Sequence, residues 1–295
     1  MTRLLTPKQV AKAIGVSESS LKRWCDKGLI PMNCTAGGHR RLPIGGVLDF
    51  IRKQRHGLVD ATAIGLPPDT GKRRLSIADA GPIAREALVT GDEPAVRQVV
   101  LDLFLEGYRS STICDQVLTP AFHDIGALWE CGKAEVYQER RACRMCMNML
   151  HELRQMLNPH SSKGPLALGG TPEGDFYEVP TTMVELVMLQ EGWQATSLGS
   201  SLPFSTMSVA IVEHRPALFW LSVSHISDEE KFLSEYMPFF DTAVAHKTIV
   251  AVGGRALTEE IRRKIKFSLF CESLTQLETF LATTAHHLIA GTKDN

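Results

Sequence analysis

The sequence predicts a multidomain α and α/β protein, helical through its first half and a parallel α/β sheet through its second. Three observations predict it. Charge is split: residues 1–56 hold eleven Lys and Arg against three Asp and Glu, while the rest holds twenty-one against thirty. Apolar residues recur at helical spacing up to Leu157, then condense into short buried runs separated by amphipathic stretches. Gly- and Pro-rich or polar breaks at 57–78 and 158–164 divide the chain.

With 295 residues there is enough chain for two or three domains and a sizeable core. The net charge of −1 conceals a basic head on an acidic body, the pattern of a head that meets a polyanion. Met1-Thr2-Arg3 runs directly into a helix signal, and no apolar run reaches the length of a membrane span. Seven cysteines without a leader fit a reducing cytosol. A cytoplasmic protein with no membrane partner is expected.

Thr6-Pro7-Lys8-Gln9 is a helix start: Thr6 caps, Pro7 suits the first position and Gln9 closes a capping box. Val10, Ala13 and Ile14 mark its inner face, and Gly15 stops it. Ser17 caps a second helix, Glu18 to Lys27, with Leu21 and Trp24 inside. Two short helices across a tight turn read as a helix-turn-helix. Ser19, Ser20, Lys22 and Arg23 then lie on the outer side of the recognition helix, suited to phosphates and base edges. The run Thr35-Ala36-Gly37-Gly38-His39-Arg40-Arg41-Leu42 predicts a hairpin wing with His39, Arg40 and Arg41 at its tip and return strand. A closing helix, Gly46 to Gln54, turns Val47, Phe50 and Ile51 inward. The "LKRW" helix followed by the "GGHRR" wing resembles the winged helix of MerR-family regulators over nearly all of residues 1–56, and implies binding of double-stranded operator DNA.

Residues 57–78 read as a linker, with Lys72-Arg73-Arg74 a solvated basic stretch. Residues 79–160 read as a four-helix bundle: a short face at Ile83, Ala84, Ala87 and Leu88, a helix from Pro94 through Leu105, a third from Thr112 to Cys131 and a fourth from Glu135 to Leu157. Cys143 and Cys146, one turn apart, are read as buried structural thiols, with half a metal site or a redox pair as the alternatives. Met145, Met147, Met149 and Met156 fill core gaps. Trp129, nine residues and then Glu139-Arg140 resembles the helical cap of cobalamin-binding photoreceptor regulators of the CarH/LitR type, whose pattern ends in Glu-His.

Strands are expected at Leu166–Leu168, Gln194–Leu198, Leu218–Ser222, Thr248–Val252 and Ser268–Cys271. Helices at 181–191, 205–214, 228–244, 258–264 and 274–289 alternate with them, so residues 164–291 predict a flavodoxin-like parallel sheet covered on both faces. Gly169 to Pro180 forms the loop after the first strand, on the edge where such sheets bind ligands. Cobalamin-binding domains share the pattern Asp-x-His-x-x-Gly, about forty-one residues, Ser-x-Leu, twenty-six to twenty-eight residues and Gly-Gly. This chain resembles it in register: Asp175 to Pro180, forty-one residues, Ser222-Val223-Ser224, twenty-eight residues, then Gly253-Gly254.

The resemblance implies a cobalt ligand at Tyr177 and a second at Arg140, and neither residue is histidine. Phenol is a poor substitute for imidazole, and a guanidinium has no lone pair to offer. Pro180 replaces the glycine that admits the nucleotide tail, and Asp175 has no histidine to orient. Gly169, Gly170, Gly174, Ser222, Gly253 and Gly254 are expected to leave room near the strand ends. Three readings follow: a vestigial pocket with regulation through a protein antirepressor or none, a different flat ligand with Arg140 pairing to a carboxylate, or a corrinoid held without protein ligation. His225, just past the third strand, is a substitute ligand or an ordinary surface histidine. The functional expectation is a DNA-binding transcriptional regulator, not an enzyme, that forms a homo-oligomer. Its sensory half derives from a cobalamin-binding photoreceptor without His-ligated cobalamin. The alternative is a ligand- or light-responsive regulator binding a tetrapyrrole: corrinoid, bilin or haem.

Overall fold

The computed structural model describes residues 3–130, 135–157 and 164–291, with the side chains of 127–130 and 285–291 outside what is described. The chain divides into two compact units, residues 1–160 and 161–295.

The first unit opens with a winged helix. Strand β1 (Leu4–Leu5) leads into α1 (Pro7–Ile14), which begins on a reciprocal box: Thr6 accepts from the Gln9 amide and Gln9 from the Thr6 amide. Gly15, at φ 70°, ends it, and Ser17 caps α2 (Glu18–Asp26). β2 (Asn33–Cys34) and β1 pair antiparallel on either side of β3 (Arg40–Pro43), and α3 (Ile44–Gln54) closes the domain two residues earlier than its periodicity predicts. Val10, Ala13, Leu21, Ile30, Leu42 and Val47 form the core, and Trp24 packs on Phe50 with ring centroids 5.0 Å apart.

Residues 57–78 are folded, not a free linker. Val59 and Asp60 donate their amides to the Ala13 carbonyl, and Asp60 pairs with Lys12 at 2.8 Å. A 3₁₀ turn at Ala61–Ile64 follows, and Ile64, Leu66 and Leu75 are buried. Composition conveyed the turns of this stretch but not the burial of its few large apolar residues.

The helical bundle comprises α4 (Ile77–Thr90), α5 (Glu93–Glu106), α6 (Ser110–Ile113), α7 (Thr119–Glu130) and α8 (Val136–Met156). α4 starts well before Ile83 because Ser76 caps it, and Pro82 is carried inside it. The expected third helix is interrupted: a π turn at Cys114–Leu118 separates α6 from α7. Cys114 and Cys146 are fully enclosed, and burial pushes both thiols far above the ordinary thiol range and Cys143 up to about 11. Cys143 itself is only half-buried, and in all three burial disfavours the thiolate form.

The second unit is a five-stranded parallel sheet in the order β5-β4-β6-β7-β8. The strands are β4 (Leu166–Gly170), β5 (Gln194–Ser197), β6 (Leu218–Ser222), β7 (Ile249–Gly253) and β8 (Leu269–Cys271). α10 (Phe204–His214), α11 (Glu229–Ala245) and α12 (Glu259–Lys264) cover one face over a core with Phe219, Leu221, Phe239 and Ile261. α9 (Glu178–Gln190) and α13 (Leu274–Gly291) cover the other, over Ala167, Val187, Met188, Trp220 and Leu277. Residues of β6 alternate between the two cores, as strand geometry requires. Among the described residues, no helix is long and apolar enough to cross a membrane.

Candidate functional site

Two surfaces gather the residues singled out by sequence. On the winged helix, Ser19, Lys22, Arg23 and His39 are exposed, while Ser20 is half-buried and its hydroxyl lies 3.0 Å from that of Ser17. Ser20 also receives a long hydrogen bond from Arg23 Nη2 at 3.5 Å. Arg40 is placed differently from a free phosphate contact. Its Nη1 donates to the Lys22 carbonyl at 3.0 Å and its Nη2 pairs with Asp26 at 2.8 Å, so it ties the wing to the end of α2. Arg41 is half-buried and donates to the Arg40 carbonyl. Sequence reasoning missed Asp26, although a carboxylate in the last turn of a helix opposes the helix dipole and signals a cationic partner.

The second surface is the C-terminal edge of the sheet. α9 begins at Glu178, earlier than expected, so Pro180 lies in its first turn, where the missing amide costs no hydrogen bond. The loop before it is pinned. Asp175 is fully buried and accepts three amides: Tyr177 at 3.0 Å, Ser224 at 2.6 Å and His225 at 3.1 Å. Burial raises its pKa, and the three amides pull the other way without prevailing. Asp175 therefore has a task without a histidine: it clamps the loop after β4 to the loop after β6.

Tyr177 is 36 % exposed, with the Arg255 guanidinium 5.5 Å from its ring centroid. Arg255 Nε donates to the Ser224 carbonyl, and the His225 side chain is exposed on the same edge. Ser222, at the end of β6, is buried and faces Gly253 across the ladder. Gly174 borders an open cavity, whereas the space at other expected glycines is taken by protein atoms. A Cβ on Gly169 would lie 2.1 Å from the Trp220 ring, and one on Gly254, at φ 119°, would lie 2.2 Å from the Val223 carbonyl oxygen. These glycines accommodate neighbouring protein atoms. Beside the loop, a cavity of about 240 Å³ is lined by Phe176, Phe204, Ile226 and Phe232, with Lys231 paired to Glu173 at its rim.

In the bundle, Arg140 is exposed on α8 beside Val136, Tyr137 and Arg144, and Glu139 is half-buried. The Trp129 side chain lies outside the described residues. Neither Trp220 nor Arg255 was found by sequence reasoning. An apolar strand such as Leu218–Ser222 does not announce which of its residues faces which core.

Two family models match the chain: a helix-turn-helix domain over residues 4–55 and a B12 binding domain over residues 84–154. No curated protein matches it. Among solved structures, the monomethylamine corrinoid protein of Methanosarcina barkeri is 14% identical with a TM-score of 0.58, covering 71% of this chain and 100% of that one. A cobalamin-binding protein from Desulfitobacterium hafniense DCB-2 is 16% identical, with a TM-score of 0.36 over 69% of this chain and 97% of that one. The methanol:cobalamin methyltransferase complex MtaBC of Methanosarcina barkeri is 15% identical, with a TM-score of 0.37 over 74% of this chain and 86% of that one. The chain thus carries a helix-turn-helix domain, a helical domain of the B12-binding type and a parallel sheet, in the fold of a corrinoid protein.

The sheet edge does not fit the corrinoid that this fold implies. Tyr177 stands where the resemblance places the ligating imidazole, Pro180 stands where it places glycine, and Trp220 is buried between β6 and α9 with its Nε1–H bonded to Thr181.

Proposed function

We propose that this chain is a sequence-specific DNA-binding transcriptional regulator of the MerR type rather than a corrinoid-dependent enzyme. Its C-terminal half keeps the scaffold of a cobalamin photoreceptor of the CarH/LitR type as a sensory or assembly module, without His-ligated cobalamin. One observation carries the reading: α2 presents Ser19, Lys22 and Arg23 to solvent while His39 is exposed on the adjoining wing. Exposed cations on a helix-turn-helix and its wing are what groove entry and phosphate contact require. A homodimer suits an operator with half-sites about one helical turn apart. The test is a salt series of anisotropy titrations on operator fragments selected from random DNA. Tight, sequence-dependent binding with a steep salt slope is expected; equal affinity for every fragment would overturn it. Turnover in a corrinoid methyl-transfer assay would overturn the non-enzymatic part.

A second reading, a ligand- or light-responsive regulator with a tetrapyrrole (corrinoid without His ligation, bilin or haem) at the sheet edge, is supported by Tyr177, Arg255 and His225 sharing one accessible surface. The absorbance spectrum of the protein as isolated tests it. A band in the tetrapyrrole region is expected under this reading, and a colourless protein that stays colourless after incubation with haem and bilin counts against it.

A further inference from the structure

A corrinoid of the cobalamin kind carries a nucleotide tail, and a parallel sheet can bury such a tail only between its strands and a covering helix. In this chain that interlayer is occupied beneath Pro180. Trp220 points from β6 toward α9 and is 2 % exposed. Its Nε1–H donates to Thr181 Oγ1 at 2.9 Å, and that hydroxyl lies 3.2 Å from Ser197 Oγ. Thr181 directly follows Pro180, so the indole is latched to the turn of helix over which a tail would enter. On the strand side Trp220 packs so close to Gly169 that a Cβ there would lie 2.1 Å from the indole and 2.3 Å from the Trp220 carbonyl oxygen. Val187, Met188, Trp193 and Leu277 are among the residues that share this layer with it. Insertion of a polar tail would require breaking a buried indole hydrogen bond and expelling a tryptophan side chain from the layer.

We propose that Trp220, latched by Thr181, excludes the nucleotide tail of cobalamin from the α/β unit. Any tetrapyrrole this edge takes then keeps its tail, where it has one, outside the α/β unit and lies on the surface formed by Tyr177, His225 and Arg255. The inference rests on reading the α/β unit as a corrinoid-type scaffold and is independent of DNA binding. Loss of histidine at position 177 alone is a ligation defect; Trp220 adds a steric one that restoring the histidine does not repair.

The test compares hydroxocobalamin with cobinamide, the same macrocycle without the nucleotide tail, by equilibrium dialysis against the full-length protein. Wild type is expected to retain no more hydroxocobalamin than cobinamide, whether it retains some of each or none. Tyr177→His, with the plug intact, is expected to behave the same way. Tyr177→His combined with Trp220→Val is expected to prefer hydroxocobalamin by about tenfold or more. A preference of that size in wild type or in Tyr177→His alone overturns the proposal, as does a folded double variant that gains none. Should the double variant fail to fold by circular dichroism, Tyr177→His combined with Trp220→Leu takes its place under the same expected preference. Operator affinity, measured on the same preparations, is unchanged under every outcome, so failure here is distinct from failure of the regulator reading.

Discussion

Arg40 shows how a charge in a motif can serve the fold before it serves a ligand. With Asp26 at 2.8 Å and the Lys22 carbonyl at 3.0 Å, its guanidinium is already neutralised and oriented. Lys22 and Arg23 carry exposed charge. Replacing Lys22 or Arg23 with alanine is expected to weaken binding across sequences and lower the salt slope by about one. Arg40→Ala is expected to weaken binding with a smaller change of slope, because its charge is shared with Asp26. A salt series for the three variants distinguishes them. Asp175 is the counterpart in the second unit. Removing its carboxylate leaves three amides without their acceptor, so Asp175→Ala is expected to cost about 1–3 kcal/mol or more, read from urea denaturation. The aspartate was legible in the spacing of the sequence, but its clamp was not, because its partners are backbone amides some fifty residues further on.

At the scale of elements, the stretch between wing and bundle behaves as a strap. Gly71 donates its amide to the buried Asp102 of α5 at 2.8 Å, and Gln98 supplies a second donor at 3.0 Å. Arg52 of α3 lies 4.2 Å over the Phe104 ring and donates to the Tyr108 carbonyl. Arg52→Ala is expected to destabilise the first unit by about 1–2 kcal/mol, measured as a shift in its urea midpoint. Burial raises the Asp102 pKa above that of an unfolded chain, so the folded state holds its proton more tightly. Its contribution to stability is fully present below the ordinary carboxylate range and is lost as pH rises through the raised value. Asp102→Asn is expected to flatten this part of the stability profile, seen in urea midpoints taken from acidic to neutral pH. None of this was readable from composition. Gly and Pro identified turns, whereas the buried Ile64, Leu66 and Leu75 are too sparse to produce a periodic signal.

For the whole molecule, class and order of elements were the most legible features, since they follow from local periodicity. The five expected strands form within a residue or two of their predicted limits, and the helices of the second unit begin within a residue of theirs except α9, which starts three residues early without a side-chain cap. What occupies the space between layers was not legible, because Leu218–Ser222 is apolar on both faces and its partition between two cores is a tertiary fact. The two compact units are expected to unfold in separable transitions. A fragment of residues 1–160 is expected to retain operator protection in footprinting, and residues 161–295 alone to give none.

The strand order also bears on how the chain is made. β4 pairs with β5 and β6, and β6 with β7, so the centre of the sheet stays open until residues 218–253 have left the ribosome. Helical neighbours close quickly, parallel strands slowly, and domains fold as they emerge. A nascent chain therefore displays a finished winged helix while its second half is still being synthesised. A translation product halted in that interval would carry a folded helix-turn-helix domain with no sheet behind it.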